Sequence, residues 1–238
     1  MSDIRINKFL SNNGIASRRE ADRLVEEGKV TINGIVAVSG QKVTERDEVC
    51  LDGKKVESLD RKVVLRYYKP IGVTVTEKDQ HARKTVAQEI SYPIRVTYAG
   101  RLDKDSEGLL LLTNDGDLID RMMRGANHHE KEYIVKVKEK ITDVFVARMR
   151  EGVYLKELEQ ETRACEVESI GPYTFRIVLT QGLNRQIRRM VQTLGNEVVS
   201  LKRVRVMNIL LGGLKPGEYE EISKEEQNEL YRLAGLNE

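Results

Sequence analysis

The residues best suited by type and spacing to do chemistry lie between Gly100 and Asp117. They form the run Gly-Arg-Leu-Asp-Lys-Asp-Ser-Glu-Gly-Leu-Leu-Leu-Leu-Thr-Asn-Asp-Gly-Asp. A charged loop leads directly into an apolar stretch, Leu109–Leu112, which ends in the turn Asn114-Asp115-Gly116. A stretch that apolar belongs in the interior, so the acids ahead of it sit on a rigid mount, as a functional carboxylate requires. Asp103, Asp105 and Glu107 first suggest a calcium loop. The final position of such a loop should be a bidentate Glu, but here it is Asn114, and leucines fill the stretch where oxygen ligands belong. A magnesium site on Asp103 and Asp105, or on Asp115 and Asp117, stays open on residue type alone. Turn capping is the plainer reading for Asp115 and Asp117, because Asp117 can open the following helix.

The second chemical signal is charge. Of the 40 Lys/Arg and 38 Asp/Glu in the chain, residues 1–60 hold 10 and 11, and residues 61–238 hold 30 and 27. Within the second part, Arg176 to Arg205 contains seven basic residues and one acid, Glu197. A solvated charged face would interleave acids with bases, so this segment points to a partner carrying phosphates.

These groups need elements to hold them. Near the N-terminus, Ile6, Phe9 and Leu10 have helical spacing, and Gly14 is placed to end that helix. Ser17-Arg18-Arg19-Glu20 forms a capping box that starts a second helix, closed by Gly28. Val30, Ile32, Val36 and Val38 alternate around Asn33-Gly34, a hairpin signal, and Asp52-Gly53 suggests another pairing. The second helix start aims Arg18, Arg19 and Arg23 outward, which suits a phosphate. An ordinary charged helix face, shared with Asp22, Glu26 and Glu27, accounts for them equally well. Residues 53–62 read as a polar linker. Beyond it, strands are expected at Val63–Tyr68, Val73–Thr76, Val96–Ala99, Tyr133–Val137, Thr174–Thr180 and Val204–Leu210. Helices are expected at 117–124, 142–151, 184–194 and 223–234. Strands outnumber helices and many connections are short, which gives an α+β fold. Its small N-terminal α+β domain, residues 1–60, precedes a larger domain, residues 61–238, with a mainly antiparallel mixed sheet flanked by helices.

The 238 residues suffice for a core without covalent staples. Cys50 and Cys165 are far apart in sequence and signal neither a disulfide framework nor a zinc site. No apolar run approaches the ~20 residues of a membrane span, and Met1 to Lys8 lacks a signal core, so a cytoplasmic protein with no membrane partner is expected.

The stretch from Ile6 to Val56, with Asn7-Lys8-Phe9-Leu10, Ser17-Arg18-Arg19-Glu20-Ala21-Asp22 and Val30-Thr31-Ile32-Asn33-Gly34, resembles the S4 RNA-binding domain. Gly100-Arg101-Leu102-Asp103 followed by Gly108-Leu109-Leu110-Leu111-Leu112-Thr113-Asn114-Asp115-Gly116 resembles the signature of the RsuA/RluB/RluE/RluF family of pseudouridine synthases. Lys69-Pro70-Ile71-Gly72, Glu130-Lys131-Glu132-Tyr133 and Asn184-Arg185-Gln186-Ile187-Arg188-Arg189-Met190 agree with further motifs of that family. Ser106 stands where many members carry Thr. His129 to Tyr133 and Gln181 to Gln186 look most similar to the RluF branch.

The resemblance implies an isomerase that converts a uridine to pseudouridine in 23S large-subunit ribosomal RNA, with a transfer RNA as a further substrate in some members. It places the catalytic carboxylate at Asp103, the active-site tyrosine at Tyr133 and the family's basic residue at Arg188. The base is detached from ribose, turned and rejoined through carbon, so neither cofactor nor metal is required. The target uridine must leave its stack, which costs a few kcal/mol. Arg101 either fills the vacated space or steers the nucleotide, and a surface phosphate contact is its bland alternative. Arg188 is expected to hold Asp103 ionised and fix its orientation. Tyr133 offers a flat face and a hydroxyl. Arg185, Arg189, Lys202, Arg203 and Arg205 are assigned to backbone phosphates near the site. Lys8, Arg18, Arg19 and Arg23 are assigned to a more distant part of the RNA. His128 and His129 read as exposed loop residues. A monomer is the default expectation.

Three other readings fit parts of the sequence: the same activity at another ribosomal site, a non-catalytic RNA-binding assembly factor, and a metal-dependent RNA hydrolase using Asp103 and Asp105. An assembly factor would leave Asp103 on its rigid mount without a purpose.

Overall fold

A computed structural model describes residues 3–57, 59, 61–76, 85–124 and 128–236. The chain forms two compact units. One comprises residues 1–64 with 92–97 and 113–117, and the other takes up the remainder.

The first unit contains β1 (Ile4–Arg5), α1 (Ile6–Asn12), α2 (Arg18–Glu26), β2 (Val30–Ile32), β3 (Ile35–Val36), β4 (Lys42–Val43), β5 (Val49–Leu51) and β6 (Lys54–Lys55). Ser17 caps α2 by accepting a hydrogen bond from the Glu20 backbone N–H at 3.3 Å, as its sequence foretells. Ile6 and Leu10 from α1, Ala21 and Val25 from α2, and Val30, Ile32 and Val49 from the strands make one buried cluster. The turn that follows the leucine stretch is tied into this unit. Thr113 Oγ1 donates to the Val63 carbonyl at 2.6 Å, and Asn114 accepts from the Val63 N–H at 2.9 Å while donating to the Arg61 carbonyl at 2.8 Å. Asp115 Oδ1 accepts from the Asp117 N–H at 2.9 Å, so Asp115 rather than Asp117 caps the next helix.

The second unit is built on β7 (Val64–Lys69), α3 (Val86–Glu89), β8 (Thr97–Tyr98), β9 (Glu107–Thr113), α4 (Gly116–Met123), β10 (Lys131–Val137) and α5 (Asp143–Glu151). It continues through β11 (Tyr154–Leu155), β12 (Gln160–Glu161), β13 (Glu166–Gly171), β14 (Thr174–Leu179), α6 (Gln186–Thr193) and β15 (Val198–Val206). It ends with β16 (Ile209–Leu210), β17 (Tyr219–Glu221) and α7 (Lys224–Leu233). The main sheet runs β13-β14-β10-β15-β9-β7-β17. Pairing of β15 with β9 is parallel, whereas β13–β14, β14–β10, β10–β15 and β7–β17 are antiparallel. The α+β architecture with a mixed, mainly antiparallel sheet is the one the sequence implies.

Two expected strands come out differently. Among the described residues, Val73–Thr76 supplies a single bridge, Thr74 to Thr85. The strand expected at Val204–Leu210 begins earlier, at Val198, and stops at Val206, because Met207 takes the left-handed conformation (φ 53°) and turns the chain into β16.

Helices α5 and α6 cover one face of β13, β14, β10 and β15. Phe145 and Met149 from α5 and Met190 and Val191 from α6 bury against Val135, Phe175 and Ile177. Phe145 and Phe175 meet edge to face at 5.7 Å, a favourable aromatic geometry. Leu179, Ile187 and Leu201 of this apolar layer also line a cavity at its edge.

Candidate active site

Strand alternation decides which side chains face the covered side of the sheet. On β10, Lys131, Tyr133 and Val135 share that face. Lys131 lies opposite Leu179 and Tyr133 opposite Ile177 on β14. On β15 a β-bulge intervenes. Glu132 pairs with Arg205, yet the next residue, Tyr133, pairs with Arg203, leaving Val204 unmatched. The extra residue puts Arg203 on the covered face and turns Arg205 to the other. Leu201, Arg203 and Val206 consequently line a cavity of about 540 Å³ together with Lys131, Tyr133 and Leu179. That volume is typical of a small-molecule pocket.

The opposite wall is the loop before β9, residues 101–106. Asp103, its side chain 39% exposed, faces the cavity with Arg101 and Ser106. Several backbone ties hold this loop. The Gly72 N–H donates to the Lys104 carbonyl at 2.8 Å, and the Ser106 N–H donates to the Asp103 carbonyl at 3.1 Å. Arg188 Nη2 donates to the Asp105 carbonyl at 2.8 Å and to Ser106 Oγ at 3.3 Å. Arg203 Nε donates to the Leu109 carbonyl at 2.6 Å, and its Nη1 donates to the Arg101 carbonyl at 3.3 Å. Gly108, where β9 passes β15, must be glycine. Its φ is +106°, and a Cβ there would lie 2.2 Å from the Arg203 carbonyl oxygen.

The acids of the loop are placed differently from the sequence expectation. Arg185 grips Asp105 with two prongs, at 3.0 and 2.7 Å, and approaches Asp103 at 3.9 Å. Arg188 Nε lies 3.4 Å from the Asp105 carboxylate. The fork expected of Arg188 on Asp103 is thus found as Arg185 on Asp105, and Arg188 acts on the loop backbone. The Arg185 hydrogen bonds hold the Asp105 carboxyl below the usual carboxylate range. Arg185 itself sits in the left-handed region, φ 50°, at the start of α6. Such a conformation costs on the order of 1 kcal/mol for a residue with a side chain, and here it accompanies the grip on Asp105.

Arg101, Arg185, Arg188 and Arg203 line the cavity. Arg189, Lys202 and Arg205 do not. Arg189 pairs with Glu157 and donates to the Asn184 carbonyl at 3.0 Å. Lys202 lies over the Tyr68 ring at 4.8 Å. Arg205 donates to Glu132 at 2.9 Å and to Glu130 at 3.0 Å. Arg203 is 3% exposed, so the bulge corrects the expectation that Arg203 and Arg205 act together on backbone phosphates. In the first unit, Lys8 pairs with Asp117 at 2.6 Å, Arg23 is held by Glu20 and Glu27, and Arg18 and Arg19 are exposed at the start of α2.

Two lysines were not singled out from the sequence. Lys69 is fully buried, its Nζ donating to the Pro70 and Val73 carbonyls at 2.8 and 2.9 Å. Burial lowers its pKa to about 8, against the opposing pull of Asp103. Lys131 lines the cavity, and burial and the nearby Arg203 lower its pKa. Its position two residues before Tyr133 on a strand was the available signal, since such residues share a face. Both cysteines are free. No helix among the described residues is long and apolar enough to cross a membrane.

Residues 63–193 match the RNA pseudouridylate synthase family, and residues 4–49 match the S4 domain. The chain belongs to the RNA pseudouridylate synthase family. It is 43% identical over 231 residues to the dual-specificity RNA pseudouridine synthase RluF of Salmonella typhi, an alignment covering 96% of this chain and 79% of the relative. It is 35% identical over 236 residues to the ribosomal large subunit pseudouridine synthase B of Bacillus subtilis, covering 97% and 96%. A crystal structure of a pseudouridylate synthase superposes with a TM-score of 0.69 at 28% identity, covering 97% of this chain and 99% of that one. For this pseudouridylate synthase, the S4 match falls within the first compact unit, and the cavity lies within the second.

Proposed function

We propose that this enzyme isomerises a uridine of 23S ribosomal RNA to pseudouridine, with a transfer RNA uridine as a second substrate. The name of the Salmonella relative marks dual specificity, and that of the Bacillus relative points to the large ribosomal subunit. Residues 1–60 act as the S4-like RNA-binding domain and residues 61–238 as the catalytic domain of a cytoplasmic monomer. The observation that carries the reading is Asp103 on a loop tied by Arg188 and Arg203, facing a cavity with room for a flipped nucleotide beside Tyr133.

The uridine leaves its stack and enters this cavity, where Tyr133 meets the base and the Asp103 carboxylate meets the ribose. Arg185 lies beside Asp103 and immobilises Asp105, and Arg188 fixes the backbone between them. Arg101, exposed at the rim, steers the flipped nucleotide. Arg189 and Lys202 contact flanking phosphates, and Arg18 and Arg19 of the S4-like domain hold a distant part of the RNA. No cofactor is needed, because substrate and product are isomers.

The test is a chemical map of pseudouridine in ribosomal and transfer RNA from cells lacking the gene, complemented by wild type or Asp103→Asn. The reading requires at least one 23S site to vanish and only wild type to restore it. Restoration by Asp103→Asn would return the protein to the class of RNA-binding factors.

A further inference from the structure

On its sheet wall the cavity holds two cations, Lys131 and Arg203, that no carboxylate neutralises among the described residues, whereas Arg101, Lys104 and Arg124 line it from exposed positions. Lys131 donates to the His129 carbonyl at 3.3 Å, and Arg203 donates only to the carbonyls of Leu109 and Arg101. Neither forms an ion pair among the described residues. Arg203 also keeps a buried Nη2 with no hydrogen-bond partner. Both occupy the face that carries Tyr133: Lys131 two residues away on the same strand, Arg203 directly across the ladder. Placing an unpaired cation in a half-closed site is costly unless a negative charge arrives there.

The proposed reaction generates such a charge. When the bond between C1′ of the ribose and N1 of uracil breaks, its electron pair goes to the base. The base becomes the uracilate anion, with its charge spread over the ring and its carbonyl oxygens. Asp103 meets the electron-deficient sugar. After the base turns, C5 bonds to C1′, the hydrogen on C5 leaves as a proton, and N1 takes one up. The product is an isomer, and no oxidant enters. The negative charge appears on the base whichever way Asp103 meets the sugar.

We infer that Lys131 and Arg203 form a cationic wall that stabilises the departing uracilate, an inference that rests on the cavity being the isomerisation site. The neutral base gains little from them and the anion gains much, so their contribution is specific to the transition state. Arg203 has an unspent donor for a carbonyl oxygen. Lys131 brings an ammonium that burial leaves poorly compensated. Tyr133, on the same face, offers the base a flat surface to lie against.

The test compares single-turnover rates on 23S ribosomal RNA transcripts made with uridine or with 5-fluorouridine, whose base is the more acidic leaving group. Conversion is read by chromatography as loss of the nitrogen-linked nucleoside, and RNA affinity is measured separately. The fluorinated base has no hydrogen on C5 to lose, so after C5 bonds to C1′ it keeps its fluorine and takes up water, OH on C6 and the proton on N1. Lys131→Met should slow the uridine transcript by about 100-fold, the scale for losing one charge-stabilising donor. The defect on the 5-fluorouridine transcript should be several-fold smaller, because that base needs less help to leave. RNA affinity should stay within about 3-fold, and Lys131→Arg should recover part of the rate. Equal defects on the two transcripts, or a defect confined to RNA affinity, would overturn the inference. Wild type that converts neither transcript would instead overturn the proposed function beneath it. Arg203→Met provides the second variant and should show the same dependence on the leaving group, with Arg203→Lys recovering part of the rate.

Discussion

The two faces of the β14–β10–β15 sheet treat positive charge in opposite ways. On the face away from the cavity, Arg176 reaches Glu132, Glu166 and Glu168 at 3.3 to 3.7 Å, and Arg205 is held by Glu130 and Glu132. On the cavity face, Lys131 and Arg203 meet only backbone carbonyls. Arg203 and Arg205 are two positions apart, yet they belong to different regimes, because one bulge rotates the strand between them. Where Arg176 and Arg205 have their acids, charge holds strands together. Where the acids are withheld, the site is prepared for a negative charge that comes from outside.

The strongest way to break this comparison is to remove one arginine from each face. Arg203→Met removes a cation from the cavity and leaves the Leu109 and Arg101 carbonyls without its donors. Its single-turnover rate should fall by about 100-fold. Arg176→Met should leave that rate nearly unchanged. Its cost is in stability, about 1 kcal/mol or less, because those pairs are partly exposed and screened. Thermal denaturation alongside the rate measurement checks both halves. Similar rates for the two variants would erase the distinction between the faces.

Much of this was legible beforehand. The Asp103 loop, the capping box at Ser17 and the apolar stretch Leu109–Leu112 are local signals, written in adjacent residues. The catalytic roles rested on resemblance to a family rather than on spacing. What was not legible is long-range. The bulge that separates Arg203 from Arg205 arises from pairing with a strand about 70 residues away, counting from Glu132 to Arg205. The exchange of partners between Arg185 and Arg188 depends on where α6 meets a loop 80 residues earlier. A run of basic residues read along the chain looks uniform. Only the sheet shows which members have acids beside them.

Lys69 sharpens the comparison, since it is another buried cation donating only to carbonyls. Its pKa falls from 10.5 to about 8 in the fold, burial being the main cause. Between those two pH values the unfolded chain keeps the lysine proton while the folded protein has released it, so raising the pH favours folding. Through this group, wild type should gain on the order of 2 kcal/mol of stability relative to Lys69→Met as pH rises from 8 to 10.5. Parallel denaturation series for the two proteins measure the difference directly, which removes other titrations common to both. A flat difference would mean that Lys69 keeps its charge at little cost, and burial without an acid would lose its meaning as a marker.

The smallest effect is expected in the S4-like domain, where the same rule can be applied to one helix. Arg23 is spent on Glu20 and Glu27, whereas Arg19 is exposed and makes no ion pair among the described residues. Arg19→Ala should weaken RNA binding by roughly 3-fold to 5-fold and reduce the salt slope by about 1, as for loss of one phosphate contact. Arg23→Ala should change affinity less, because its guanidinium must first leave two carboxylates to meet a phosphate. Titrations of a 23S transcript at several salt concentrations, one variant beside the other, read both quantities. Equal losses would show that RNA competes successfully with the helix's own acids. Compensation by neighbouring carboxylates would then distinguish cations inside the cavity but not those on an open surface, where water and salt already weaken every pair.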